Sequence, residues 1–263
     1  MIGVFFAIAA FLVPYTLGWS WDWWIFGASS LAIILSLRLA GPKTFISELG
    51  IRMGKGDVGV ACLTLLIVGV VAGCVIPKIL HQSGYAAGVS NSPWKYLATP
   101  FQVLNEEMVL RAFLLTILTR LVNQPIAISV AAAALFAVLH FFLYRFGPPN
   151  ITLSIGALTT LFLMALAMNQ FFFTTGNIAI PFGVHMGWNF TQFGSVWIAQ
   201  GSRACLPDGM DFNLIEGNFM VIALATALLA LAIGANHILG DAPNFRKATL
   251  ESRRGGRFRL ISR

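Results

Sequence analysis

The chain has 263 residues, of which 57% are hydrophobic and only 10% charged, with a mean hydropathy of +0.79. Soluble domains carry roughly 45 to 50% apolar and about 25% charged residues, so a soluble globular protein is excluded, as are disorder and collagen-like repeats. Three cysteines are too few for a disulfide scaffold. Cys62 and Cys74 share one apolar run, twelve positions apart, which is about 18 Å along a helix and beyond the reach of a bridge. The formal charge of +7 does not point to nucleic acid, because the basic residues are not gathered on a soluble face. The bilayer is the expected partner, and the expected fold is one all-α, polytopic membrane bundle.

Apolar runs bounded by charge, Pro or Gly predict about eight transmembrane helices, near residues 2 to 18, 23 to 40, 57 to 80, 94 to 119, 124 to 145, 151 to 173, 177 to 199 and 217 to 239. The first run lacks the basic start of a signal peptide, and its Ala7, Ile8, Ala9 triplet comes too early for a cleavage site, so a retained helix is expected. Trp19, Trp21, Trp23 and Trp24 follow it, suited to the headgroup layer and a tight outer turn. No internal repeat interrupts the pattern, and composition shifts once, at residue 240. Residues 1–240 are expected as the membrane domain, and residues 241–263, with seven basic and two acidic side chains, as a basic cytoplasmic tail. Such a tail can contact anionic lipid or simply set the topology.

Alternating the connections puts twelve basic residues on one side, Arg38, Lys43, Arg52, Lys55 and Arg120 with seven in the tail, and four on the other, Lys78, Lys95, Arg145 and Arg203. The positive-inside rule makes the first side cytoplasmic, together with both termini. An integral protein of the plasma (inner) membrane is the expectation.

Only two of ten acidic residues, Glu106 and Glu107, fall near the middle of a span, and Arg111 is close by. Each central ionisable group costs about 2.5 to 3.5 kcal/mol on insertion scales, so this helix is expected to turn a polar site into the bundle. Glu107 precedes Arg111 by four, the favourable order for a helical ion pair. Glu106 points about 100° away from that pair on an ideal α-helix, where a proton-transferring role suits it. His140 and His185 are also placed within the membrane. Asn189 follows His185 by one helical turn, and Phe136 precedes His140 by one. There is no H-E-x-x-H zinc signature, no G-x-S-G, and no G-x-G-D with a second intramembrane Asp.

The motifs E-E-x-x-x-R at Glu106, Glu107 and Arg111, F-x-x-x-H at Phe136 and His140, and H-x-x-x-N at His185 and Asn189 resemble, in that order, those of the CAAX-protease and bacteriocin-processing (CPBP, or Abi) intramembrane peptidases. The resemblance covers roughly residues 94 to 199. It implies an endopeptidase acting on a peptide or lipidated protein, prenylated or otherwise membrane-associated. In that reading Glu106 and His140 activate water, His185 and Asn189 polarise the scissile carbonyl, and Glu107 with Arg111 supports the site. The side chains suit hydrolysis, which needs a general base and donors aimed at the developing oxyanion.

Zinc or another divalent metal held by Glu106, His140 and His185 is an alternative that the resemblance also carries. It would leave Glu107 as the remaining base, already engaged by Arg111, so catalysis without a cofactor is favoured. A proton-coupled transporter would use the same ionisable residues as a relay, although no inverted repeat supports it. A non-catalytic immunity or scaffold protein would reduce the Glu pair to packing. Straight helices would leave His140 and His185 about 14 Å apart in depth. Pro181 offers one source of irregularity that could close the gap.

Overall fold

The computed structural model describes residues 23–40, 49–51, 54–89, 93–122, 124–146, 150–193, 195–199 and 210–239. The expected first span at 2 to 18, Trp19 and Trp21, and the tail 241–263 lie outside these residues.

Helix α1 (Trp23–Ala40) and α2 (Lys55–Gln82) precede a short strand, β1 (Tyr85–Val89). Next comes one long helical stretch in three windings: α3 (Pro93–Glu106), a π-helical segment (Glu107–Leu115) and α4 (Thr116–Leu121). Helices α5 (Pro125–Phe146), α6 (Ile155–Thr175) and α7 (Ala179–Phe193) lead to strand β2 (Ser195–Ala199), and α8 (Met210–Glu216) and α9 (Phe219–Leu239) follow. The chain thus forms an all-α membrane bundle, to which the described residues add one two-stranded ladder. Among the described residues four helices, α2, α5, α6 and α9, are each long and apolar enough to cross a bilayer. Leu63, Leu66, Ile67 and Val70 of α2 and Leu231 of α9 remain exposed on the bundle, as residues facing lipid should.

The seventh expected span corrects the sequence reading. A helix over 177–199 was expected, but it ends at Phe193 and residues 195–199 pair antiparallel with β1, Tyr85 opposite Ala199 and Val89 opposite Ser195. Val196, Trp197 and Ile198 are β-branched or aromatic, types that fit a pleated strand, and β1 supplies the backbone partners. The ladder ties the end of α2 to the end of α7, so both lie at one face of the bundle.

Packing explains how α7 is held. At its start, Asn177 Oδ1 accepts from Ala179 N at 2.8 Å, and Pro181 sits in the first turn, where its missing N–H is harmless. Ile178 N donates to Gly50 O at 3.2 Å. Gly50 has φ +73°, and a Cβ there would stand 2.5 Å from Gly176 O, so this crossing requires glycine. Along α7, a Cβ on Gly183 would meet Ala61 O at 2.5 Å, and one on Gly187 would meet Leu65 O at 2.6 Å. Glycines four apart let α7 lie backbone to backbone on α2. His185 stands between them in the chain and Trp188 follows.

At the other end, Ser154 caps α6 through its hydroxyl, which accepts from Ala157 N at 3.1 Å. Asn213 of α8 bonds Ser154 N at 2.8 Å and Thr152 O at 2.9 Å, and Thr160 Oγ1 donates to Glu216 O at 2.6 Å. These bonds fold α8 over the start of α6. Buried Phe136, Ala137 and Tyr144 of α5, Leu161 and Ala165 of α6, and Phe212 of α8 form one apolar cluster.

Candidate active site

The long helical stretch enters the bundle as α3 and changes winding at Glu107. Glu106, Glu107 and Arg111 are 3%, 0% and 1% exposed, so all three ionisable groups are turned inward. π-Helical turns recur at functional sites because they redirect side chains within a continuous helix. On an ideal α-helix the two glutamates would diverge by about 100°. Here both reach His185: Glu107 Oε1 lies 2.9 Å from Nδ1, and Glu106 Oε2 lies 3.7 Å from Nε2.

Glu107 Oε1 also accepts from Arg111 Nη1 at 3.1 Å, as the i, i+4 spacing predicts. A buried arginine beside a buried carboxylate avoids the cost of an isolated charge. The Arg111 guanidinium lies over the Phe136 ring, 4.7 Å from its centroid, close enough for a cation–π contact. Gln102 Nε2 donates to Glu106 Oε1 at 3.4 Å. Polar Ser30, through its hydroxyl, bonds Asn105 Oδ1 at 2.6 Å, anchoring α3 to α1 next to the glutamates.

Both imidazoles have assignable tautomers. His140 Nδ1 is 2.9 Å from Phe136 O; a carbonyl only accepts, so Nδ1 carries the proton and Nε2 is left as an acceptor. His185 Nδ1 donates to the Glu107 carboxylate, which leaves its Nε2 for chemistry. The Phe136 ring is 4.2 Å from the His140 ring and 6.3 Å from the His185 ring, between centroids. Those distances together fall short of the ~14 Å depth offset expected for straight helices, so the two histidines share one site.

They face a small cavity of ≈ 40 Å³, room for water but not for a peptide. Its wall includes Gln102, Phe136, His140, His185, half-buried Asn189 and Glu216, with Tyr144, Met164 and Trp188 among the remaining side chains. Every sequence-predicted site residue therefore lies in the glutamate cluster or on this wall. Glu106, Glu107, Arg111 and His185 are joined by direct polar contacts, while the His140 ring packs on Phe136, 4.2 Å between centroids. Buried Glu107 Oε2, Arg111 Nη2 and Gln102 Oε1 have no hydrogen-bond partner among the described residues. Buried polar atoms are normally satisfied, and Gln102, the one of the three that lines the cavity, marks a place there for water or a polar substrate group.

Among the described residues no three His, Cys, Asp or Glu side chains are grouped as a metal-ligand set. His185 Nδ1 is held by Glu107, which leaves Nε2 facing the site. Sequence reading missed Glu216, which lay at the edge of a connection. Its Oε1 accepts from Trp188 Nε1 at 2.6 Å, and it is 4% exposed. Its place one residue before a Gly-Asn turn hides it from any count of mid-span charges. Gln102, one turn before Glu106, was detectable from spacing alone.

Residues 89–191 match the family model described as Rce1-like, type II CAAX prenyl endopeptidase. No curated protein and no solved structure matches the chain.

Proposed function

We propose that this chain, an Rce1-like member of the type II CAAX prenyl endopeptidase family through residues 89–191, hydrolyses a peptide bond in a prenylated or other membrane-associated peptide with water activated by Glu106 and His140. The family is one of CAAX-type intramembrane proteases, and the protein is an integral membrane hydrolase. One observation supports the finer reading above others: a single imidazole, His185, meets two buried carboxylates at 2.9 and 3.7 Å on the wall of a water-sized cavity.

In this mechanism Glu106 takes a proton from the attacking water, with His140 Nε2 as the second acceptor that orients it. The water oxygen adds to the scissile carbonyl. Asn189, one turn beyond His185 on α7, donates its amide N–H to the oxygen on which negative charge develops, and His185, its Nδ1–H held by Glu107, joins it through Nε2–H with both ring nitrogens protonated. Collapse of the tetrahedral adduct returns the proton to the leaving amine. Glu107 holds the His185 ring through Nδ1 and is itself fixed by Arg111. No metal takes part. In this reading the protein resides in the plasma (inner) membrane, the bias of basic residues supports cytoplasmic termini, and residues 241–263 are a basic tail.

The test is to incubate purified protein in lipid with matched prenylated and unprenylated peptides and to read cleavage by mass spectrometry. Cleavage that falls about 10²-fold or more in Asn189→Ala, the order expected for one oxyanion donor, supports the reading. Absence of cleavage of every peptide, together with proton-coupled uptake into proteoliposomes, replaces it with the transporter.

A further inference from the structure

Two buried carboxamides beside the catalytic cluster lack partners that buried amides normally have. Gln102 is 3% exposed and Gln192 1%. Gln102 Nε2 is engaged by Glu106 Oε1 at 3.4 Å, but its Oε1 has no hydrogen-bond partner among the described residues, and Gln192 has none there at either Nε2 or Oε1. Leaving such atoms unsatisfied costs stability, and a leucine of similar size would avoid that cost. A side chain that weakens the peptide-free fold in this way is explained by a group that arrives later.

Both glutamines stand in rows that lead to the reacting groups. Along α7, Gln192 follows His185 by seven residues and Asn189 by three, and seven residues of α-helix return to within about 20° of the starting direction. Gln192 is thus on the His185 face, roughly 10 Å beyond His185 and 5 Å beyond Asn189. In α3, Gln102 precedes Glu106 by four. The two helices run antiparallel, since Glu106 meets His185 while Gln102 shares the cavity wall with Asn189. One turn further along, Gln192 is level with the part of α3 around buried Ala98 and Thr99. An extended chain rises about 3.3 Å per residue, so Gln192 is two to three residues of peptide from a carbonyl held by His185 and Asn189.

In the proposed hydrolysis, on which this inference rests, both hydrogens of the attacking water are assigned, one to Glu106 and one to His140 Nε2. Gln102 Oε1 must therefore accept from another donor. The scissile carbonyl oxygen is served by His185 and Asn189, which leaves the peptide's other N–H and C=O groups, and a primary amide offers the matching acceptor and donors. We infer that Gln102 and Gln192 form a subsite for the substrate main chain. Gln102 Oε1 accepts the peptide N–H next to the scissile bond, and the Gln192 amide bonds the N–H and C=O of one residue two to three positions away. The substrate class is an extended peptide held by its backbone, so the subsite selects secondary amides rather than particular side chains. A cavity of ≈ 40 Å³ holds water alone, so the peptide completes the subsite by parting α3 from α7 as it enters, and the two amides gain their bonds at that step.

The test crosses protein variants with peptides altered only in the backbone. A peptide that the full chain cleaves in lipid is remade with an ester in place of one amide at a time, the scissile amide excepted, which deletes a single N–H without adding bulk. KM and kcat are measured for the parent, Gln192→Leu and Gln102→Leu, together with unfolding midpoints. Gln192→Leu removes only unsatisfied atoms, so it should unfold at or above the parent midpoint while KM for the all-amide peptide rises about tenfold, the order of one neutral hydrogen bond. One ester two to three residues from the scissile bond should raise KM about tenfold in the parent and not in Gln192→Leu. The ester next to the scissile bond should behave likewise with Gln102→Leu, whose kcat falls as well because Glu106 loses its donor. Ester penalties that are absent in the parent, or equal in the parent and both variants, overturn the inference. A lowered midpoint in Gln192→Leu overturns it too, by assigning that amide to the fold. In each of these outcomes the parent still cleaves the all-amide peptide, so the proposed hydrolysis stands. A parent that cleaves no peptide defeats the hydrolysis itself, and the subsite with it.

Discussion

His185 Nδ1 lies 2.9 Å from Glu107 Oε1, and that same oxygen receives Arg111 Nη1 at 3.1 Å. One carboxylate atom thus ties α7, which carries the second histidine, to the π-helical segment that carries the arginine. Arg111 in turn rests on Phe136, whose ring lies beside both histidines. The supporting residues form one connected path through three elements.

Glu107→Ala should therefore cost stability as well as turnover. Removing one partner of a buried ion pair strands the other charge, at about 3 to 5 kcal/mol, and also frees the His185 ring. Thermal unfolding in detergent should show a midpoint several degrees lower, with activity lost in parallel. An Arg111→Met, Glu107→Gln double variant should recover much of the midpoint but little activity, because no charge is then stranded.

The close α2–α7 crossing should tolerate no added methyl at Gly187. Its Cβ would stand 2.6 Å from the Leu65 carbonyl, and relief of that overlap must move α7 and with it His185 and Asn189. Overpacking costs typically 1 to 3 kcal/mol, and a misplacement of about 1 Å can cost 10²-fold in rate. Gly69→Ala is the control: its Cβ would meet Gly187 O at 3.9 Å, an ordinary contact. Gly187→Ala should lower both stability and kcat, and Gly69→Ala neither.

Glu216 predicts a difference between two substitutions. Glu216→Gln keeps an oxygen for the Trp188 N–H and should unfold at nearly the parent temperature. Glu216→Ala leaves that buried donor unsatisfied, a loss of about 1 to 3 kcal/mol. Equal midpoints for the two variants would contradict the structural role given to the 2.6 Å bond.

Much of this was legible beforehand, for identifiable reasons. Helices α1, α5 and α9 begin and end within two residues of the hydropathy segments at 23 to 40, 124 to 145 and 217 to 239, because a membrane span is defined by apolar length alone. Six of the seven proposed site residues stood out because ionisable and amide side chains are costly within a span, and Phe136 through its place one turn before His140. Three features were not legible. Residues 195–199 are as apolar as the helix before them, and a short apolar run does not distinguish strand from helix. The π winding at Glu107 leaves no mark on hydropathy, so the convergence of Glu106 and Glu107 on His185 was unforeseen. Glu216 reaches the cavity through a fold of the chain between α8 and α6, a long-range contact that no local spacing encodes.

Activity should survive exhaustive chelation. In the proposed reaction Glu106 and His140 activate water directly, so side chains and water alone carry the chemistry. Elemental analysis of active protein should find no stoichiometric zinc. Activity lost on stripping and restored by added zinc would assign Glu106, His140 and His185 to a metal instead.

The most direct test is turnover by Glu106→Gln, a substitution that keeps size and hydrogen bonding but removes the base. Folded Glu106→Gln protein, with a parent-like unfolding midpoint, should cleave no peptide that the parent cleaves, and His140→Ala should fail likewise. Parent-level cleavage by folded Glu106→Gln would contradict the account at its centre.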